Sequence, residues 1–297
     1  VPDVYSLTSN STATGVTVIG VGDATSPGCL CEGWGVSGSG LRGFANVATD
    51  GVVNLVPISF LTDDVGTGPG TFATSTVGIG GSPLVVTQAY AASTAAPGSL
   101  FENKVTITNT GATSVTDVRY VRVMDWDVPP TEFSELVTIR GTGTTTNLEL
   151  SHNNGFATAN PLAATSALSA GTTDVDFEDF GPLDHGAYFK FNFGTLAAGE
   201  SKEFSIFYGG APNEALALSA LGAVGAELFS FGQNSTPGHD SQTTFIFAFK
   251  GVGGEIIVPP GSAVPDGGHS AVLLALSLPA LAGLRWVTSR CQECLAG

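Results

Sequence analysis

Positive charge is scarce in this sequence: ten Lys and Arg stand against 26 Asp and Glu in 297 residues, a formal net charge of −16. A field of that sign repels phosphate backbones and anionic headgroups, so nucleic acid is excluded as a partner. Thiols are scarce too. The four cysteines form two close pairs, Cys29 with Cys31 and Cys291 with Cys294, and no disulfide framework spans the chain between them. One residue between Cys29 and Cys31 leaves only a strained bridge, free thiols or a weak metal contact, and Cys291 and Cys294 lack the second pair that a zinc site needs. Methionine occurs once, at Met124. With no initiator, the chain is expected to begin behind a removed signal peptide or at a fragment end, and Val1 reads as a processed start.

Catalytic signatures are also missing. No Gly-x-Ser-x-Gly elbow occurs, and His152, His185, His239 and His269 stand in polar contexts without metal spacing. Gly33, Gly35 and Gly38 match the dinucleotide fingerprint, but no helix-forming segment follows and no βαβ alternation surrounds them, so the match is accidental. The expectation is a chain that is not an enzyme.

What remains is a β composition. Forty Gly and 16 Pro punctuate the chain, 42% of residues are hydrophobic and only 12% are charged. Such a chain fills a large core and leaves its surface to Ser, Thr, Asn and Gly. Runs rich in β-branched and aromatic residues recur at 16–21, 52–61, 84–90, 104–109 and 117–126, bounded by Gly, Pro or Asn. The stretch 22–40 is too rich in glycine for regular structure. Over 104–109, Val105 and Ile107 share one face while Lys104, Thr106 and Thr108 share the other, and a hairpin-type turn is expected after Asn109. The segments 187–193, 203–208 and 244–249 place Phe at alternate positions, enough to fill the gap between two sheets. The fold class expected is all-β, an antiparallel β-sandwich, single and large or double. One short covering helix is expected near 214–228, with Asn213 as N-cap and Leu218, Leu221, Val224 and Leu228 at helical spacing. It should cover a sheet edge or end, and it tolerates Gly222 and Gly225 at about 1 kcal/mol each.

The organisation expected along the chain is an N-terminal β region (1–95), a sandwich body (96–250), a Pro/Gly linker (251–268) and a hydrophobic segment (269–290). Within the last, 270–287 would span about 27 Å as a helix if Arg285 snorkels, against about 30 Å of hydrocarbon. Trp286, Arg285 and Arg290 would anchor it on the cytoplasmic side. The order of parts, Val264-Pro265-Asp266-Gly267-Gly268, a hydrophobic run, then arginines, resembles the exosortase sorting signal of secreted bacterial proteins. Gly267 stands where the Val-Pro-Asp-Ser-Gly variants have Ser. The resemblance implies cleavage near the motif by a membrane transpeptidase, with the body released or re-anchored outside a Gram-negative cell, and membrane sorting machinery as a partner. The body, especially 100–130, resembles adhesive β-sandwich regions of secreted proteins, which by itself supplies no function.

Acidic residues are the candidate metal ligands. Asp174, Asp176 and Glu178 alternate with Val175 and Phe177, so an extended strand would set them along one face at about 7 Å intervals. Calcium needs oxygens at about 2.4 Å, so the chain would have to curl, or other ligands such as Asp179 or Asp184 would have to join. Asp125 and Asp127 flank Trp126 at a strand end, where they would bind calcium or sugar, or pair with Arg119 or Arg122. Calcium is the one cofactor that the sequence suggests. Trp34, Tyr90 and Trp126 are the candidate platforms for a carbohydrate. The leading expectation is a non-catalytic extracellular surface or matrix protein acting in adhesion or assembly, as in a filament subunit. Its partners would be copies of itself or neighbouring surface proteins, joined through open strand edges. A carbohydrate-binding module, with polysaccharide as partner, is the alternative. A glycoside hydrolase built on paired carboxylates is the third.

Overall fold

The computed structural model describes residues 17–18, 22–23, 32–46, 50–63 and 72–258. The cysteine pairs, the motif 264–268, most of the expected linker and the hydrophobic segment lie outside these residues. Among the described residues no helix is long and apolar enough to cross a membrane.

Strands β1 (Thr17–Val18) and β2 (Gly22–Asp23) form a small antiparallel ladder. A six-stranded antiparallel sheet runs in the order β12 (Leu148–His152), β14 (Gly186–Asn192), β10 (Arg119–Asp125), β3 (Glu32–Gly38), β4 (Leu41–Asn46), β5 (Gly51–Val53). A nine-stranded antiparallel sheet runs β13 (Phe177–Leu183), β11 (Glu135–Arg140), β16 (Leu228–Gln233), β17 (Thr244–Lys250), β15 (Ser201–Ala211), β9 (Leu100–Asn109), β8 (Leu84–Ala92), β7 (Phe72–Ile79), β6 (Leu55–Thr62).

The two sheets share one core. The alternating Phe residues meet across it: Phe189 and Phe191 from β14 lie 5.1 and 5.0 Å from Phe249 of β17, and Tyr120 of β10 lies 5.0 Å from Phe204 of β15. Val105 and Ile107 are fully buried while Lys104 is exposed, which is the alternation read for that strand.

Several expectations are corrected. The stretch taken as too glycine-rich holds β3 and β4, because residues 153–162 cross the outer face of this sheet at close range. A Cβ on Gly35 would overlap the Ala159 carbonyl oxygen, and one on Gly33 would lie 2.8 Å from the Asn46 Cβ. Glycine is required here by proximity rather than by a turn. The turn after Asn109 is not a hairpin but a crossing to the other sheet, tied down by the Asn109 amide on the carbonyls of Thr113, Leu196 and Ala197 at 2.8–3.0 Å. Residue 95 is no boundary, since β8 and β9 pair across it and β3 pairs with β10. The beginning of the expected linker is docked. The Glu227 carboxylate accepts from the amides of Gly251, Val252 and Gly254 at 2.9–3.0 Å, and Val252 is buried in the core.

The helix, α1, spans Glu214–Val224. The Asn213 side chain caps it as read, accepting from Leu216 N at 2.9 Å, and Gly225 ends it in the left-handed region at φ 68°. Leu228 therefore opens β16 and does not extend the helix. Ala217, Leu221 and Val224 pack on Phe207, Phe229, Phe231, Ile246 and Ala248. The helix thus covers the outer face of the central strands of the larger sheet, not an edge.

Gly35→Ala should destabilise the protein by about 1–3 kcal/mol through overpacking against a backbone that cannot retreat. Gly98, with open space at its Cβ position, should accept Ala within about 0.5 kcal/mol. Urea unfolding of the two variants checks the contrast.

Candidate functional site

At the end of β10 the chain leaves the six-stranded sheet and enters β11 of the nine-stranded one. Trp126 anchors this crossing: its indole is fully buried, its Nε1 donates to Ser230 Oγ at 3.0 Å, and it lies over Gly232, where a Cβ would collide with the ring. The carboxylates of Asp125 and Asp127 flank the anchored ring, each only 3% exposed. The second crossing at the same place, from β13 to β14, carries Asp184 and His185. Trp126 N donates to His185 O at 3.2 Å, joining the two crossings. Carboxylate oxygens of Asp125, Asp127 and Asp184 all lie within 4.8 Å of one another.

Glu135, the first residue of β11 and fully buried, completes the corner. Its Oε1 accepts from His185 N at 2.9 Å. Its Oε2, like Asp127 Oδ1 and Asp184 Oδ1, has no hydrogen-bond partner among the described residues. Burial, and then repulsion from Asp127, Asp184 and Glu135, pushes the Asp125 carboxyl up to about 8. Burial raises Glu135 to about 7, with Asp184 and Asp127 adding to it, and raises Asp127 as well. Asp125, Asp127 and Asp184 face one another, and Glu135 stands beside them through its bond to His185, the residue after Asp184. Asn153 braces the corner from behind: its Nδ2 lies 3.2 Å from His185 Nδ1, and its Oδ1 accepts from Leu168 N and Thr172 Oγ1.

The arginines offered as partners for Asp125 and Asp127 are committed elsewhere. Arg119 bonds Glu149 and Asp117, and Arg122 pairs with Glu32. Asp184 lies with these two aspartates rather than with the 174–178 run. Glu135 and His185 were not singled out from sequence, because nothing in their spacing shows that two separate crossings meet.

The expected row Asp174, Asp176, Glu178 is not one site. Positive φ at Asp174 (53°) and Asp179 (49°) breaks the alternation. Asp174 accepts from Ser151 N at 2.6 Å, Asp176 accepts from Thr142 N at 2.9 Å, and Glu178 faces Arg140 at 3.7 Å. Asp179 instead meets His239 and Asp240, which form a second, more exposed group. The carbohydrate platforms are corrected too. Trp34 and Trp126 are fully buried and Tyr90 nearly so, because these three rings lie in the core between the sheets, where Trp34 stacks on Tyr120.

A second group of polar residues backs the six-stranded sheet. His152, stacked on Tyr188 at 4.5 Å and 3.0 Å from Thr165 Oγ1, is fully buried, and burial depresses both His152 and His185 to about 4. Comparison with known proteins finds no family model that matches the chain and no curated protein similar to it.

Between pH 6.5 and 4 the unfolded chain takes up a proton at His152 that the folded chain refuses, so stability contributed by neutral His152 is full above 6.5 and is lost as pH falls towards 4. His152→Gln should remove about 2–3 kcal/mol of the difference in unfolding free energy between pH 7 and pH 4.5. Carboxyl titrations common to both proteins cancel when the two urea series are subtracted.

Proposed function

We propose that this chain is a non-catalytic component of an extracellular or outer-surface layer that assembles edge to edge with copies of itself. The observation that carries the reading is β6. It is the last strand of the nine-stranded sheet, and among the described residues it pairs with β7 alone. Its apolar side chains stand in solvent: Val56 is 50% exposed, Ile58 57%, Phe60 53% and Leu61 63%. No residue of Leu55–Thr62 is charged. Natural edges are blunted with Lys, inward charge, Pro or a bulge. In β6, Pro57 and the register shift beside it interrupt the first half, and the uncharged run 59–62 is left as a template for a further strand.

The occupant that best suits this edge is a second β6. Elsewhere two copies carrying −16 each repel one another, and a neutral strand is where they approach at least cost. Antiparallel pairing would extend the ladder and cover the same apolar side chains on both copies. The outward faces of neighbouring strands carry hydroxyl pairs, Thr76 with Thr87 at 3.1 Å and Thr108 with Ser201 at 2.8 Å, a surface suited to water. The resemblance of 264–268 to a sorting signal supports the exterior location. Sorting machinery belongs to the same proposal.

The rival readings have less support. With Trp34, Tyr90 and Trp126 in the core, the carbohydrate-binding alternative loses its platform. A hydrolase would use the raised carboxyls of the acidic corner, but Asp125 and Asp127 are too enclosed to meet a glycosidic bond.

In the full chain, Ile58→Lys combined with Phe60→Lys should raise the concentration of half-assembly at least tenfold, about 1.4 kcal/mol, in sedimentation velocity and negative-stain imaging. Thermal stability should change little, since both side chains already stand in solvent. A wild-type protein that stays monomeric at every concentration, or a double variant that assembles equally well, would discard the reading.

A further inference from the structure

We propose that the acidic corner formed by Asp125, Asp127 and Asp184, with Glu135 behind them, is a calcium site that clasps the two sheets together. The inference is independent of assembly through β6.

Geometry is the first support. Oxygens bound to one ion at about 2.4 Å can be no more than about 4.8 Å apart. The carboxylate oxygens of the three aspartates satisfy this limit pairwise. The donor set is all oxygen, the preference of a hard divalent cation, and three carboxylates that bind through one or two oxygens each leave room for water to complete six to eight ligands. Calcium, with its flexible coordination, suits such a site better than magnesium, which demands a near-ideal octahedron.

The second support is independent of the cluster's shape. Glu135 is fully buried, its Oε1 is spent on the His185 amide, and its Oε2 has no partner among the described residues. The bond to His185, the residue after Asp184, sets this carboxylate beside the second crossing. Asp127, nearly as buried, leaves its Oδ1 without a partner there as well. Among the described residues no Lys or Arg makes an ion pair with Asp127, Asp184 or Glu135. Desolvated acids that face one another without a cation are strongly unfavourable. A divalent ion reverses the sign of every one of those interactions.

The consequence follows from topology. Residues 126–134 carry the chain from the six-stranded sheet to the nine-stranded one, and 184–185 carry it back. Asp127 belongs to the first crossing and Asp184 to the second, while Asp125 ends β10 and Glu135 begins β11. One ion at this corner would hold both crossings and the ends of two strands from opposite layers.

The test uses the full chain, stripped with chelator and dialysed. Terbium, an oxygen-seeking stand-in for calcium, should show emission sensitised by tryptophan, since Trp126 sits between two of its ligands, and calcium should displace it. Calcium at a hundredfold excess over its Kd should raise Tm by roughly 5–10 °C, and magnesium by less. Asp184→Asn should weaken calcium at least tenfold. Asp184 is only half-buried and its change removes a repelling charge, so the metal-free variant should fold with a Tm no lower than wild type. Asp176→Asn, outside the corner, should leave calcium affinity as in wild type. Absence of any calcium-dependent Tm shift would overturn the proposal. So would a shift and a terbium signal that survive unchanged in both Asp184→Asn and Asp127→Asn, because binding would then be elsewhere on the acidic surface.

Discussion

The gap between the two sheets is the constraint on which the rest of the structure depends. It is filled by Phe189, Phe191, Phe204, Phe247 and Phe249 in mutual ring contact. Each ring withdrawn from water contributes about 2–3 kcal/mol before ordering is counted. Because these rings come from alternate positions, a slip of one residue in β14 or β17 would turn the whole set outward, so burial also fixes register. One charge shares this gap. Arg122 lies between Tyr120 and Met124 on the inward face of β10, fully buried, bonded to the Tyr208 hydroxyl and paired with Glu32. Burial pulls its pKa down while Tyr208 raises it, and its guanidinium lies 5.4 Å from the centre of the Tyr208 ring. Such a pair adds little net stability over an apolar substitute, but losing one partner strands a buried charge. Its effect is on pairing: β3 meets β10 with Glu32 opposite Met124, so the acid reaches the guanidinium diagonally, and a slip of one residue would turn Glu32 to the other face of the sheet.

What was legible in the sequence follows from the same constraint. Strands with a strict inside and outside announced themselves, as in Lys104 to Asn109 and in the Phe-rich segments. The Asn213 cap was legible because capping is local chemistry. The glycine strands were not. Gly35 is in β3 where a distant segment presses on it, and Gly33 where the Asn46 side chain of the next strand does, and glycine alone reads as a turn. The end of α1 was misplaced for a similar reason: Leu228 keeps the helical period, but Gly225 adopts a left-handed conformation and stops the helix three residues earlier. The acidic corner was half legible. Asp125 and Asp127 share a strand end, but Asp184 and Glu135 reach them only through the meeting of two crossings, a long-range fact that no spacing encodes.

Charge is distributed with the same economy. The few cations of the described residues are used on the body: Lys104 with Glu203, Arg119 and Lys190 with Glu149, Arg140 with Glu178. Lys202 lies over the Phe193 ring, and Lys250 donates to the Val224 carbonyl at the end of α1. In a chain with 26 acids and ten bases, any desolvated group of carboxylates must be neutralised by protons or by an external ion. The corner is where that shortage is concentrated, because three sequence-distant segments deliver acids to a site from which water is largely excluded.

The unequal size of the two sheets explains why the opposite margin is open. Six strands cannot cover nine, and β5, the last strand of the smaller sheet, has only three residues, Gly51–Val53. Phe60 lies opposite Ser75 on the inward side of β6 and is still more than half exposed, because among the described residues no layer extends over it. The acidic corner is built on β11 and β13 at one margin of the large sheet, and β6 is the other margin, eight strand spacings from β13. At about 4.8 Å per spacing the two are separated by some 38 Å along the sheet, far beyond direct interaction. Substitutions at one should therefore add to, and not modulate, the effects of substitutions at the other. The proposed clasp at one margin and the open edge at the other would divide the work of the fold: the first would hold the layers in register, and the second leaves a neutral strand exposed where, on the proposed reading, copies would meet.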